Sequence, residues 1–178
     1  MREAAERLQQ EPTYNHEYLS MEGLPRFLLG AKTIALGAAV DISRVASIQT
    51  IGGTGACHLG AAFLKKWYHS GAIALISDPS WENHLDLFEH EGIQTSTYPY
   101  WDPVKRGINF DAMMAAVETA PNRSLVVLHA CGHNPTGADL TKSQWMTLSD
   151  TMVRKHHFAF FDSAYQGFVS GDLEKDGW

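Results

Sequence analysis

The chain has 178 residues, enough for one domain with a sizeable hydrophobic core. Twenty acidic against fourteen basic residues give a formal net charge of −6 with no basic run, which excludes an electrostatic case for nucleic-acid binding. No apolar stretch has the length of a membrane span, the first ten residues do not read as a secretory signal, and Cys57 and Cys131 are too few for a disulfide framework, so a cytoplasmic protein is expected.

"MREAAERLQQ" has helical character, and "PTYNHEY" breaks it with proline and asparagine. Leu24, Phe27, Leu28, Ala31 and Leu36 predict a second helix from about Leu24 to Leu36, with Pro25 tolerated in its first turn and Gly37 as its stop. "RVASIQT" reads as a short β-rich run. After "IGGTG" an amphipathic helix follows, with Ala56, Leu59, Gly60, Phe63, Leu64 and Trp67 predicted on its inner face. "AIALI" reads as a buried strand, "HLDLFEHEG" as a short helix, and "IQTSTYPYW" as a strand that Pro99 confines to an edge or a strand end. Phe110, Met113, Met114 and Val117 mark a helix capped by Asn109. "LVVLHA" is a strand running into the turn "CGHNPTG". Thr141 and Gln144 form a capping box that opens a helix with Trp145, Leu148 and Met152 inward, and "HFAFF" reads as a last buried strand. Strands and helices alternate, so parallel βαβ units in a layered α/β fold are the expectation.

In open parallel sheets ligands bind beyond the carboxyl ends of the strands. Each apolar run here is followed at that end by conspicuous residues: Gly53 and Thr54, then Trp81, then Asn134, then Asp162 and Tyr165. "GGTG" opens a helix, so its backbone N–H groups and the helix dipole suit an anion such as phosphate. It is neither a dinucleotide fingerprint, because His58 stands where the third glycine belongs, nor a P-loop, because no Gly-Lys-Ser/Thr follows. Glycine turns before helices are most often structural, and "NPTG" by itself is an ordinary turn.

His129, Cys131 and His133 alternate as metal ligands on one strand face would. A structural zinc wants four ligands, however, so no metal site is assigned. Asp162 ends an apolar strand, where a carboxylate is costly without a cationic or hydrogen-bonding partner. One ligand type would occupy every strand end: phosphate at Gly53–Thr54, a ring against Trp81, a protonated ring nitrogen at Asp162, and a phenolic oxygen at Asn134 and Tyr165. Pyridoxal 5'-phosphate is such a ligand, and a carboxylate beside its pyridine nitrogen keeps the ring protonated as an electron sink.

"NHEYL", "GGTGACHLGAAFL", "DPSWENH", "HACGHNPTGADL" and "FFDSAYQGFVSGDL" together resemble the aspartate aminotransferases, class I, fold-type I pyridoxal-phosphate enzymes, in that family's order and over most of the chain. The resemblance implies a three-layer, mostly parallel sheet, with residues 1–178 forming part of the large, cofactor-binding domain. The small domain and the C-terminal part of the large domain are expected to be absent. It implies Asp162 at the ring nitrogen with His84 behind it, Tyr165 and Asn134 at the ring oxygen, Trp81 over the ring, and Gly53 and Thr54 at the phosphate. Trp81 and Asn134 are also implied to contact the substrate α-carboxylate, and Tyr18 to reach the phosphate of a neighbouring subunit in a homodimer. Where many relatives open the phosphate loop with serine, this chain has Gly52. The lysine that holds the cofactor as a Schiff base, and the arginines that grip the substrate, are implied to lie beyond Trp178, so no catalytic residue is assigned.

The implied activity is amino-group transfer between aspartate or glutamate and 2-oxo acids, with the isolated 178-residue chain inactive or nearly so. No nucleic-acid or membrane partner is expected. The family occurs in organelles as well as the cytosol. The competing reading is a non-catalytic protein that keeps the cofactor pocket or serves an interaction, a pseudoenzyme or truncated remnant.

Overall fold

The computed structural model describes residues 1–12, 15–37 and 40–178. The expected break at "PTYNHEY" includes Thr13 and Tyr14, which lie outside the described residues. Helix α1, Arg2–Gln10, buries no residue. Helix α2, Pro25–Leu36, has its proline in the first turn and ends at Gly37, whose φ of 63° is left-handed and favours glycine. The expected strand at "RVASIQT" is absent. A short 3₁₀ turn, Ile42–Arg44, leads into irregular chain that is tied back by Gln49, whose N–H donates to the Glu22 carbonyl and whose Oε1 accepts from the Leu24 amide. With no neighbouring strand to pair with, β propensity alone does not make one.

The core is a four-stranded parallel sheet, with β1 Ala74–Asp78, β2 Thr95–Pro99, β5 Leu125–His129 and β6 Phe158–Asp162 in the order β2-β1-β5-β6. A small antiparallel ribbon, β3 Trp101–Asp102 with β4 Gly107–Ile108, lies outside it and was not anticipated. Alternation sorts the strands' side chains onto two faces. Ala74, Ile76, Leu125 and Val127 pack with Ala61 and Leu64 of α3, Gly52–Trp67, and with Phe88 of α4, Asn83–His90. Leu75, Val126 and Leu128 pack on the opposite face against Met113 and Val117 of α5, Phe110–Thr119, and Leu148 and Met152 of α6, Lys142–Lys155. The result is the expected helix–sheet–helix sandwich.

The Thr141–Gln144 capping box opens α6, whereas the N-cap Asn109 of α5 makes no side-chain cap bond. Helix α3 is rotated from the expected face. Cys57, Ala61 and Leu64 are buried, while Leu59, Phe63 and Trp67 are exposed. Gly60 and Leu64 of the expected face do lie inward, and a Cβ on Gly60 would lie 2.6 Å from Phe160 Cε2, so it is the small Cys57 and Ala61 that complete the face packed on the sheet. Strand β6 is not fully buried either. It is an edge strand, and Phe158 and Phe161 remain exposed.

The order matters for function. The chain runs from β1 outward to β2, then crosses back to place β5 on the other side of β1. That reversal opens a crevice beyond the carboxyl ends of β1 and β5.

Candidate active site

A cavity of about 260 Å³ occupies that crevice, lined by Gly53, Thr54, Trp81, His129, Cys131, Asn134, Asp162, Ala164 and Tyr165. Gly53 and Thr54, Trp81, Asn134, Asp162 and Tyr165 thus share one wall system, although 112 positions of sequence separate the first of them from the last. Gly53 and Thr54 differ from expectation in origin: they belong to the first turn of α3 and follow irregular chain, not a strand. Their amides precede the first helical bond, Gly55 N–H to the Ile51 carbonyl, and so are free of intrahelical acceptors. A Cβ on Gly53 would meet nothing within 4 Å.

Asp162 ends β6 in register with His129 of β5. Its Oδ2 accepts from His84 Nε2 at 2.8 Å and lies 4.0 Å from Cys57 Sγ, while Oδ1 makes no hydrogen bond among the described residues. The His84 bond holds the carboxyl below the usual carboxylate range against burial, which pulls it up. Burial lowers His129 to about 4 and His133 to about 3, so both rings are neutral at pH 7.

Neutrality fixes the direction of a chain of hydrogen bonds. The Asn134 amide donates to His129 Nδ1 at 3.3 Å, so His129 carries its hydrogen on Nε2, 3.2 Å from Ser80 Oγ. The Ser80 hydroxyl is then the donor to His84 Nδ1 at 3.0 Å, which leaves the His84 hydrogen on Nε2 for Asp162. Asn134 and Asp162, on different strand ends, are thereby linked through three side chains. His84 is fully buried, with Trp81 packed edge-on to it at 5.2 Å between ring centroids.

The turn that carries Asn134 is braced from below. The Asp139 carboxylate accepts from the Gly132 and His133 amides, and the His133 ring bridges Ser77 Oγ and Thr136 Oγ1 while stacking on Tyr100 at 3.8 Å. Gly132 has a φ of 62°, which favours glycine, and a Cβ there would lie a tight 3.1 Å from that of Tyr165. The segment bearing Tyr165 is pinned in turn by Asp176, whose carboxylate accepts from the amides of Gly167, Val169 and Ser170.

Tyr18, expected at the site of a neighbouring subunit and not at this one, is fully exposed and lies outside the cavity. Beyond His129 the chain leaves β5 and turns, so His129, Cys131 and His133 do not share a strand face. Among the described residues, potential metal ligands instead converge as Cys57, His84 and Asp162, and as His58, His90 and Glu91. The roles of Ser80 and His129 escaped the sequence reading; the signal was the four-residue spacing of Ser80 and His84 across the start of a helix.

Comparison with known proteins matches residues 1–177 to the family described as aminotransferase class I and II. The chain is 40% identical to the cytoplasmic aspartate aminotransferase of Schizosaccharomyces pombe, over 100% of this chain and 45% of that protein. It is 46% identical to the cytoplasmic aspartate aminotransferase of Gallus gallus, over 92% of this chain and 42% of that one. Among solved structures, aspartate aminotransferase from Saccharomyces cerevisiae cytoplasm superposes with a TM-score of 0.93 at 41% identity, covering 99% of this chain and 43% of its own. An aromatic-amino-acid aminotransferase from Burkholderia pseudomallei, covalently bound to pyridoxal phosphate, superposes at 0.91 with 38% identity, covering 98% and 44%. The chain therefore spans less than half the length of the curated relatives it matches.

Proposed function

The chain belongs to the aminotransferase class I and II family, and from that premise we propose that residues 1–178 form the cofactor-cradling part of a large domain that binds pyridoxal 5'-phosphate for amino-group transfer between aspartate or glutamate and 2-oxo acids. The observation that carries this reading is Asp162: one carboxylate oxygen is engaged by His84 and the other, at the wall of the cavity, has no partner among the described residues. An ionised carboxylate with a spare acceptor, beside an aromatic side chain and the free amides of a helix start, suits a ligand with a ring N–H, a flat ring and an anion.

When bound, the cofactor's protonated ring supplies an electron sink for the charge that develops as a substrate loses its α-proton. The chain's own residues hold and orient it. Asp162 accepts the ring N–H and keeps the proton there, because its charge is maintained by His84. Trp81 covers the ring and excludes water from it. Asn134 and Tyr165 donate to the phenolic oxygen, and the hydrogen-bond chain through His129, Ser80 and His84 keeps the Asn134 loop in register with Asp162. The amides of Gly53 and Thr54 hold the phosphate without a serine at Gly52. Asn134 and Trp81 also meet the substrate α-carboxylate. Tyr18, exposed and outside this cavity, serves the phosphate site of a second copy in a homodimer. Free buried cysteines and the cytoplasmic relatives support a cytoplasmic location.

Titrating the cofactor with the 178-residue protein tests this. A saturable change in the cofactor's absorbance is expected, weakened about tenfold or more in Asp162→Asn, since a hydrogen bond to a charged group contributes about 1.5–3 kcal/mol. Among the described residues no lysine lines the cavity, so borohydride reduction should leave no specific pyridoxyl-lysine on peptide mapping. Binding of equal strength in wild type and Asp162→Asn would refute the assignment.

A further inference from the structure

Cys57 lies beside Asp162 and has no part in the cofactor reading. It sits in α3 with 5% exposure, its Sγ 4.0 Å from Asp162 Oδ2, which in turn lies 2.8 Å from His84 Nε2. All three potential ligand atoms lie within 4.8 Å of one another. A zinc ion bound at about 2.0–2.3 Å by sulfur, imidazole and carboxylate holds tetrahedral donors roughly 3.3–3.8 Å apart. The two separations here bracket that range, so an ion would draw Sγ inward and part Nε2 from Oδ2 by fractions of an ångström.

We propose that Cys57, His84 and Asp162 form a binding site for a thiophilic divalent cation such as Zn²⁺. The donor set is one thiolate, one neutral imidazole and one carboxylate, which together neutralise the ion. Binding releases the Cys57 thiol proton to water. The His84 hydrogen moves from Nε2 to Nδ1 and the Ser80 hydroxyl hydrogen rotates away from that nitrogen, so that Ser80 Oγ, already 3.0 Å away, accepts from Nδ1 in the manner typical of a metal-bound histidine. His84 is fully buried and Cys57 nearly so, while Asp162 lines the cavity, so the ion enters from that side and takes its fourth ligand there.

The site has a regulatory consequence that rests on the proposed cofactor role. The ion takes His84 away from Asp162 and neutralises the carboxylate on which a protonated ring nitrogen would dock. Cation and cofactor are therefore antagonists.

Co²⁺ is the probe. Added to the purified protein, it should produce a thiolate-to-metal charge-transfer band in the near ultraviolet that persists in Cys131→Ser, disappears in Cys57→Ser, and is displaced by Zn²⁺. Co²⁺ held by the second cluster, His58, His90 and Glu91, has no sulfur ligand and gives no such band. Ser80→Ala should lower the affinity about tenfold. The absence of the band, or its survival in Cys57→Ser, overturns the site. Should Cys57→Ser fail to fold, alkylation decides: Zn²⁺ must protect Cys57, mapped by mass, and alkylation that Zn²⁺ leaves unaltered overturns the site. Saturating Zn²⁺ should also raise the Kd for pyridoxal phosphate, and an unchanged Kd overturns the antagonism. Pyridoxal phosphate that does not bind even without Zn²⁺ refutes the cofactor reading, leaving the Co²⁺ band to decide the metal site.

Discussion

Lowering the pH from 7.5 to 5.0 should destabilise this protein through two histidines, before its carboxylates titrate. His129 and His133 are 9% and 2% exposed, and burial depresses them to about 4 and about 3. In the unfolded chain both return to about 6.5. Between those values the unfolded chain binds protons that the folded chain refuses, so stability is fully present above pH 6.5 and falls as pH drops toward 4 and then 3. At pH 5 each histidine costs about 2 kcal/mol on these values, about 4 kcal/mol together. Water reaching the cavity side of His129 screens part of this, so about 2–4 kcal/mol is the expected range. In urea, with a slope of about 2 kcal/mol per molar, the unfolding midpoint should shift down by roughly 1–2 M. The depressed carboxyl of Asp162 stays ionised across this window, folded or unfolded, and does not contribute. His133→Asn, compared with itself at the two pH values, should lose about half the shift. A wild-type midpoint that moves by less than about 0.5 M, or a His133→Asn shift as large as wild type, refutes the claim that these rings are held neutral by burial.

Gly60→Ala should destabilise the chain by about 1–3 kcal/mol, because its Cβ would lie 2.6 Å from the Phe160 ring and force α3 off the sheet. Thermal melting monitored by far-ultraviolet circular dichroism would detect this, and an unchanged melting temperature would show that Phe160 swings aside without cost. Thr141→Ala removes the hydroxyl that accepts from the Gln144 amide at 3.3 Å and should cost about 1 kcal/mol. Gln144→Ala, which removes the reciprocal bond to the Thr141 amide, tests in the same denaturation assay whether the two halves of the box are worth similar amounts.

Much of the fold could be read from local pattern. The α2 boundaries, the Thr141 capping box, the edge position of Pro99 and the strand–helix alternation are each set by residues within a few positions of one another. The motif residues Gly53, Thr54, Trp81, Asn134, Asp162 and Tyr165 were likewise identifiable, because each follows an apolar run or glycine turn with chemistry that a core does not need. Errors arose where a neighbour distant in sequence made the choice. On helix α3 Gly60 and Leu64 were placed correctly against the sheet, but Cys57 and Ala61 complete the buried face where Leu59, Phe63 and Trp67 were expected, because the Phe160 ring, a hundred residues on, sits against Gly60. "RVASIQT" had strand-like composition and no strand to pair with. "HFAFF" looked buried and became an edge.

By itself the sequence determined most of the inventory: which segments of the core are helix or strand, and which polar groups stand at their ends. Periodicity, capping and turn chemistry act over a handful of residues and are present in the order of the letters. Only the tertiary structure decided the order β2-β1-β5-β6, and with it where the crevice opens. It alone brought Cys57 beside Asp162 and joined Asn134 to Asp162 through His129, Ser80 and His84. The reason is that hydrogen bonds, burial and charge act through ångströms of space, and 105 residues of chain separate the thiol from the carboxylate it faces.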